Sequence, residues 1–383
     1  MRKRHVWIYH LLTPLVIAFL FIRFGYRFKK ARNLPDKYIV LANHTTDFDP
    51  LFVAASFPRQ MYFVASEHIA RWKNAYKFIR YALAPILRYK GSVAVSTVRE
   101  VLQRLRDGAN ICIFAEGART WDGVTAPFLP STGKLIKAAG CGLVTYKITG
   151  GYFVSPNWSE KSLRRGPISG APVRVYSPEE IEKMTVDEIN RAIAADLHED
   201  AYARQMANPQ PYKGKNLAHR MENLLFICPQ CGEMDTIRST GNHMECMKCH
   251  SAFRYTEYGM LEGMPFQTVK ELAAWEKNQV EQDTLLDIPY TAAQATLITV
   301  DNHVETQVAK GPLLMNREGL FCGDWHMPLA NISELAMHGR HALVFTAKDV
   351  YYELIPQGEN ALKFHWLYET HKNNAAQTAE RSA

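Results

Sequence analysis

Apolar positions fall into short continuous runs separated by amphipathic stretches in the first half of the chain. YIVLA (38–42), MYFVAS (61–66), SVAVS (92–96), ICIF (111–114), GLVTYKIT (142–149) and VRVYS (173–177) are runs of strand length. Helical patterns between them open on Thr97 with Glu100, Ser177 with Glu180 and Thr185 with Glu188. In such a pair the hydroxyl accepts a free N–H of the first turn, and the Glu reaches back to the cap. The first helix stops at Gly108 and the later two end by about Gln205. Strands alternating with helices predict an α/β sandwich on a largely parallel sheet.

The second half has a different rhythm. ANPQPYKGKN (207–216) reads as a linker. Thr268 with Glu271 caps a helix running to about Gln282. ATLITV (295–300), VETQVA (304–309), GLFCG (319–323), ISELAM (332–337), ALVFTA (342–347) and VYYELI (350–355) follow as short strands, and residues 360 to about 369 as a closing helix. Several short strands and one terminal helix form a small β-rich domain that resembles a pleckstrin-homology-like barrel in pattern alone. The tail NNAAQTAERSA is polar and reads as disordered.

The chain begins differently again. Between Arg4 and Arg23 lie eighteen uncharged residues, HVWIYHLLTPLVIAFLFI. As a helix they reach roughly 27 Å, just short of a ~30 Å hydrocarbon core. Trp7, Tyr9 and Tyr26 stand near the ends, where aromatic rings favour headgroups, and Pro14 suits a kinked or shallow insertion. A signal peptide would need a small-x-small cleavage site, whereas IRFGYRFKK follows. A buried core helix is the other alternative. The reading adopted is an uncleaved membrane anchor, with spanning left open.

Charge sharpens that reading. The 383 residues carry a net charge of +7. Residues 1–37 hold nine Lys/Arg against Asp36 alone, so the rest of the chain is close to neutral. The basic residues from Arg23 to Lys37 suit anionic headgroups and predict a body on the cytoplasmic face. With 47% hydrophobic and 22% charged residues, wholesale disorder, collagen-like repeats and a polytopic membrane protein are excluded. Seven cysteines are too sparse for a disulfide scaffold.

Four of those cysteines stand as Cys228-x2-Cys231 and, fourteen residues on, Cys246-x2-Cys249. Two such knuckles bring four thiolates to one tetrahedral site. This predicts a zinc ribbon with structural zinc, though four thiolates also suit iron. A segment of roughly forty residues has too little core to fold unaided. Residues 217–262 hold more acids than bases, so no nucleic-acid partner is expected. A protein partner for the C-terminal half is not identified by any motif.

Two polar clusters directly follow predicted strands, where open α/β sheets place ligand crevices. The first is Asn43-His44-Thr45-Thr46-Asp47-Phe48-Asp49, and the second Glu116-Gly117-Ala118-Arg119. Taken alone, each is open to a bland reading: a loop histidine with a first-turn acid, or a surface Glu–Arg pair. Together, behind the basic arm, they resemble the glycerophospholipid acyltransferase superfamily, typified by 1-acylglycerol-3-phosphate (lysophosphatidate) O-acyltransferases. His44 and Asp49 stand at that family's H-x4-D pair; Glu116, Gly117 and Arg119 fit its F-P-E-G-T-R block. Residues 128–134, FLPSTGK, look like the segment after it. Ala115 and Ala118 replace the usual proline and threonine, Thr97 stands where an arginine would follow Gly91 in the second block, and the fourth block lacks its proline.

The resemblance implies a membrane-associated enzyme that takes acyl-CoA or acyl carrier protein as donor and a lysophospholipid as acceptor, without a catalytic metal. An acceptor hydroxyl attacks a thioester poorly unless a base takes its proton, a role that suits His44. Asp49 would orient the imidazole. Arg119 would bind phosphate, with Gly117 letting backbone N–H groups approach, and Glu116 would orient the acceptor or Arg119. The predicted organisation is a membrane anchor and basic arm (1–37), an acyltransferase domain (38–206), a linker (207–221), a zinc ribbon (222–262), a helix with a small β domain (263–371) and a disordered tail (372–383). The competing functions are an acyltransferase for another lysolipid or glycerol 3-phosphate, and a catalytically degenerate membrane scaffold.

Overall fold

The computed structural model describes residues 3–89, 94–160, 162–301, 303–358 and 360–382. The first sheet has seven strands: β1 (Arg27–Phe28), β2 (Tyr38–Ala42), β3 (Met61–Ser66), β4 (Ile86–Arg88), β5 (Asn110–Phe114), β6 (Gly142–Thr149) and β7 (Ser169–Tyr176). Its order is β1-β7-β6-β2-β5-β3-β4, and every pairing is parallel except β6 with β7. Central β2 is buried along its whole length because helices cover both faces. Its alternation divides the core: Tyr38, Val40 and Ala42 join one cluster, Ile39 and Leu41 the other.

On the Ile39 side pack α4 (Val95–Arg106), α5 (Ser131–Ala139), α7 (Pro178–Lys183) and α8 (Val186–Leu197). Ile189, Ile193 and Leu197 recur every fourth residue and put one stripe of α8 inside, each contributing about 1.5–3 kcal/mol. On the opposite side lie α1 (Lys3–Phe24) and α2 (Asp49–Ser56). The remaining α-helices of this half are α3 (Lys73–Ala82), α6 (Gly151–Val154) and α9 (Ala201–Ala207).

The capping boxes at Ser177 and Thr185 are both formed. The one predicted at Thr97 is not: α4 starts at Val95, and the Thr97 hydroxyl donates to the Leu87 carbonyl at 2.9 Å. Val95 and Ser96 are therefore helical rather than part of a strand 92–96, and residues 92–93, like Gly91, lie outside the described residues. The short strands β1 and β4 had no apolar run long enough to announce them.

The four cysteines sit at a four-stranded antiparallel sheet, Cys246 at a strand end and the others in adjoining turns: β8 (Ile237–Thr240), β9 (His243–Cys246), β10 (Ala252–Tyr255) and β11 (Leu261–Glu262). Then α10 (Val269–Leu285) opens on the predicted Thr268 capping box. A second seven-stranded sheet, wholly antiparallel, comprises β12 (Tyr290–Asp301), β13 (Val304–Met315), β14 (Gly319–Cys322), β15 (Trp325–Pro328), β16 (Leu335–His338), β17 (Ala342–Ala347) and β18 (Val350–Pro356). Finally, α11 (Ala361–Ser382) continues well past residue 369 through the segment expected to be disordered. The Ala, Gln, Glu and Arg of that segment are strong helix formers, which polarity alone did not weigh.

Residues 207–216 do not hang as a free linker. Tyr212 is buried against Phe153 and donates its hydroxyl to the Pro167 carbonyl at 3.0 Å, while Lys213 bridges Arg165. A single apolar cluster runs from Leu20 through the first sheet and the cysteine sheet to Tyr368.

Candidate active site

β2 ends at Ala42 and the chain turns into α2, so residues 43–48 form a loop at the C-terminal edge of a parallel strand. Asn43 locks this loop to the neighbouring β6: its side chain donates to the Ile148 carbonyl at 2.9 Å and accepts the Ile148 N–H at 2.8 Å. His44 and Asp49 meet, with Nδ1 2.9 Å from Oδ2. The Asp49 carboxylate is fully buried and accepts four further groups. Oδ2 takes the N–H of Thr45 at 2.5 Å and of Thr46 at 2.9 Å; Oδ1 takes their hydroxyls at 3.2 and 2.7 Å. An oxygen so occupied can only accept from His44, which assigns the ring proton to Nδ1 and leaves Nε2 with a free lone pair. The imidazole stacks on Phe114 with centroids 4.5 Å apart and keeps 21% of its surface open.

Glu116 follows β5 on the adjacent strand end. Oε1 accepts the His44 N–H at 2.6 Å and Oε2 the Ala126 N–H at 2.7 Å. Loss of water pushes this carboxyl up to about 8, against the pull of the two N–H donors. Glu116 thus ties the His44 loop to two points of its own β5–α5 loop and makes no bond to Arg119. Gly117 holds φ +68° in the turn, a left-handed conformation that favours glycine.

Arg119 is buried. Nε donates to the Thr45 carbonyl at 3.2 Å, Nη1 to Asp47 Oδ2 at 3.0 Å, and Nη2 to the carbonyl and hydroxyl of Ser155. It braces the His44 loop against α6, with one carboxylate at its outer side. Asp47 is that carboxylate, and it remains 69% exposed. The residues that sequence reading missed are Asn43, Thr45 and Thr46, legible only as hydroxyls and an amide beside the motif, and Ser155 and Asn157 from a segment with no motif. Asn157 Nδ2 donates to the Arg119 carbonyl at 3.1 Å.

The cysteines form a second centre. The Sγ atoms of Cys228, Cys231, Cys246 and Cys249 lie within 4.8 Å of one another. Cys228 to Cys249 and Cys231 to Cys246 are each 3.8 Å. A tetrahedron with ~2.3 Å metal–sulfur bonds has edges of about 3.8 Å, so the cluster fits a four-thiolate metal site. Both knuckles share one backbone design. Gly232 (φ +73°) and His250 (φ +59°), each four residues after its first cysteine, donate their N–H to that cysteine's carbonyl at 2.9 Å. Burial works against a thiolate at Cys246, yet the Thr236 hydroxyl at 3.2 Å helps hold it at about 6. On α10, Glu276 is buried and accepts the N–H groups of Phe226 and Ile227 at 2.8 and 2.9 Å, just before Cys228.

Residues 25–149, about a third of the chain, match the family model of the acyltransferases. Among solved structures the chain is similar to the 1-acyl-sn-glycerophosphate (LPA) acyltransferase PlsC from Thermotoga maritima. The identity is 19%, the match covers 54% of this chain and 84% of that one, and the TM-score is 0.45. Comparison with curated proteins finds no significant match.

Proposed function

We propose that this protein is an O-acyltransferase moving a fatty acyl group from acyl-CoA or acyl carrier protein to the free hydroxyl of 1-acylglycerol-3-phosphate. The observation that carries the reading is the His44–Asp49 pair, held by five contacts on one carboxylate, within an acyltransferase-family domain. His44 Nε2 takes the acceptor's proton as its oxygen attacks the thioester carbonyl. Asp49 stabilises the imidazolium that forms. The tetrahedral intermediate collapses by breaking the carbon–sulfur bond, and the imidazolium returns the proton to the leaving thiolate. The substrate's hydroxyl serves as nucleophile, so no acyl-enzyme forms.

The domain divisions at 38–206, 222–262 and 263–371 are part of the same proposal, as is structural zinc on Cys228, Cys231, Cys246 and Cys249. The cysteine sheet holds the protein's N-terminal and C-terminal halves together, and a zinc ion there would supply cross-linking rather than chemistry.

The proposal also concerns how the protein meets its lipid. One side of α1 is docked: His5 Nδ1 is 2.8 Å from the Tyr62 hydroxyl, Tyr9 donates to the carbonyls of Ala54 and Phe57, and Leu20 and Phe24 are buried. The outer side exposes Trp7, Leu11, Leu15, Phe19 and Ile22, and α3 adds Phe78 and Tyr81 beside it. A helix fastened to the body at both ends favours lying in the headgroup–acyl boundary over crossing it. Exposed Arg27, Lys29, Lys30 and Arg32 continue the same end of the molecule. The test is to incubate the pure protein with labelled acyl-CoA and a panel of lysolipids, and identify products by mass spectrometry. His44→Ala should abolish transfer while folding and vesicle binding persist; undiminished transfer would overturn the assignment.

A further inference from the structure

We infer that Arg340, from the C-terminal sheet, completes a two-guanidinium site for the phosphate monoester of a substrate beside His44; this rests on the acyltransferase reading above. The turn between β16 and β17 reaches across to the first half of the chain. Arg340 Nε donates to the carbonyl of Asn157, whose own side chain holds the Arg119 carbonyl. Arg340 Nη2 stands 4.0 Å from Asp47 Oδ2, the same oxygen that Arg119 Nη1 meets at 3.0 Å. Two guanidinium groups from opposite halves of the sequence therefore converge on one carboxylate oxygen.

Both guanidinium groups face the Asp47 carboxylate, which is 69% exposed and three residues from His44 on the same loop. A phosphate monoester carries close to two negative charges and three acceptor oxygens, enough to accept from both Arg119 Nη1 and Arg340 Nη2. A phosphate that displaces the exposed Asp47 carboxylate takes over the charge opposite the buried Arg119 guanidinium, so that cation is not left unpaired. The turn is fixed on its other side as well: His341 Nε2 lies 2.5 Å from Glu160 Oε1, and Gly339 takes φ +61°. Arg340 is thus presented by a braced turn, not by a free loop.

The test compares the full-length wild type with Arg340→Gln and Asp47→Asn. Binding of 1-acylglycerol-3-phosphate and of 1-acylglycerol is measured in detergent micelles, alongside KM for lysophosphatidate and for acyl-CoA. Arg340→Gln should weaken the phosphate lipid about 10–100-fold, leave the phosphate-free lipid unchanged and raise KM with kcat retained. Asp47→Asn should tighten the phosphate lipid. A rise in KM for acyl-CoA instead of the acceptor would assign the site to the coenzyme's phosphate. Equal weakening of both lipids, or no weakening of either substrate, overturns the site, as does a wild type that binds neither lipid. Selective binding of the phosphate lipid without acyl transfer would overturn the acyltransferase reading alone.

Discussion

Replacing Asp49 by Asn isolates charge from geometry at the proposed base. Oδ2 accepts two backbone N–H groups and the His44 ring, whereas Oδ1 meets only the hydroxyls of Thr45 and Thr46. An amide oxygen in the Oδ2 position keeps the three N–H donors satisfied. The hydroxyls then rotate to accept from the new NH2 group, since each carries lone pairs as well as a proton. The fold and the His44 tautomer both survive, and what disappears is the negative charge facing the imidazolium. At about 4 Å between charge centres and an effective dielectric of about 20, that charge stabilises the transition state by about 4 kcal/mol, or ~10^3 in rate. We expect kcat for acyl transfer, followed by thiol release, to fall about 10^3-fold with Tm within a few degrees of wild type. Asp49→Ala, which strands two buried N–H groups at about 1–3 kcal/mol each, should instead lower Tm clearly. An Asp49→Asn enzyme within tenfold of wild-type kcat would refute the electrostatic role.

Three further predictions address other parts of the molecule. A methyl at Gly151 would stand 2.1 Å from Thr45 Oγ1, so Gly151→Ala should displace the clamp on Asp49 and cut transfer at least tenfold, measured with folding checked by circular dichroism; unchanged transfer would show that the clamp does not need Thr45. Removing metal with a chelator should raise hydrogen exchange across residues 222–262 while transfer persists below the new Tm; immediate loss of transfer at constant fold would contradict a structural metal. At Glu353 burial opposes ionisation, but His338 and Arg71 outweigh it and hold the carboxyl at about 2. A depressed carboxyl contributes stability fully present above its unfolded value near 4.5 and lost as pH falls towards 2, here on the order of 3 kcal/mol. Glu353→Gln should therefore cost stability at pH 7 and far less at pH 2.5 in denaturant melts, and an equal cost at both would overturn the assignment.

The parallel sheet was legible because buried strands announce themselves as apolar runs, and β2, β3, β5 and β6 begin or end within a residue of those runs. The capping boxes at Ser177, Thr185 and Thr268 worked for a related reason: the signal is local and its partners are three residues apart. Thr97 carried the same letters, yet a tertiary acceptor at Leu87 outcompeted the local one. The pairing of His44 with Asp49 was legible from the resemblance and not from spacing alone, and the strand-to-helix turn brings the two together. The partners of Arg119 were not. Asp47 lies 72 residues away and Ser155 36, so no periodicity connects them. Glu116 illustrates the same limit, because backbone N–H groups leave no trace in the side-chain pattern.

The seam between the two halves explains why a site can draw on residues so distant in sequence. Arg71 pairs with Glu67 at 2.5 Å within the first half and with Glu353 at 2.5 Å across the seam, and Glu305 lies 3.2 Å away. His338 Nδ1 is 3.1 Å from Glu353, and its ring lies 4.1 Å from that of His68. Arg71, Glu67 and Glu353 are nearly inaccessible to water, so the cross-seam Arg71–Glu353 pair carries a large desolvation cost and adds little net stability over an apolar contact. Apolar surfaces of the same area tolerate sliding, because dispersion has no direction. A guanidinium shared among three carboxylates does not: displacing the sheet by one residue would strand a buried charge, at about 3–5 kcal/mol. Such a network fixes register rather than affinity. Arg340 leaves β16 two residues after His338, which is held in that network, and its own neighbour His341 is held by Glu160. The turn is thereby pinned from both sides at the position where a substrate phosphate would be read.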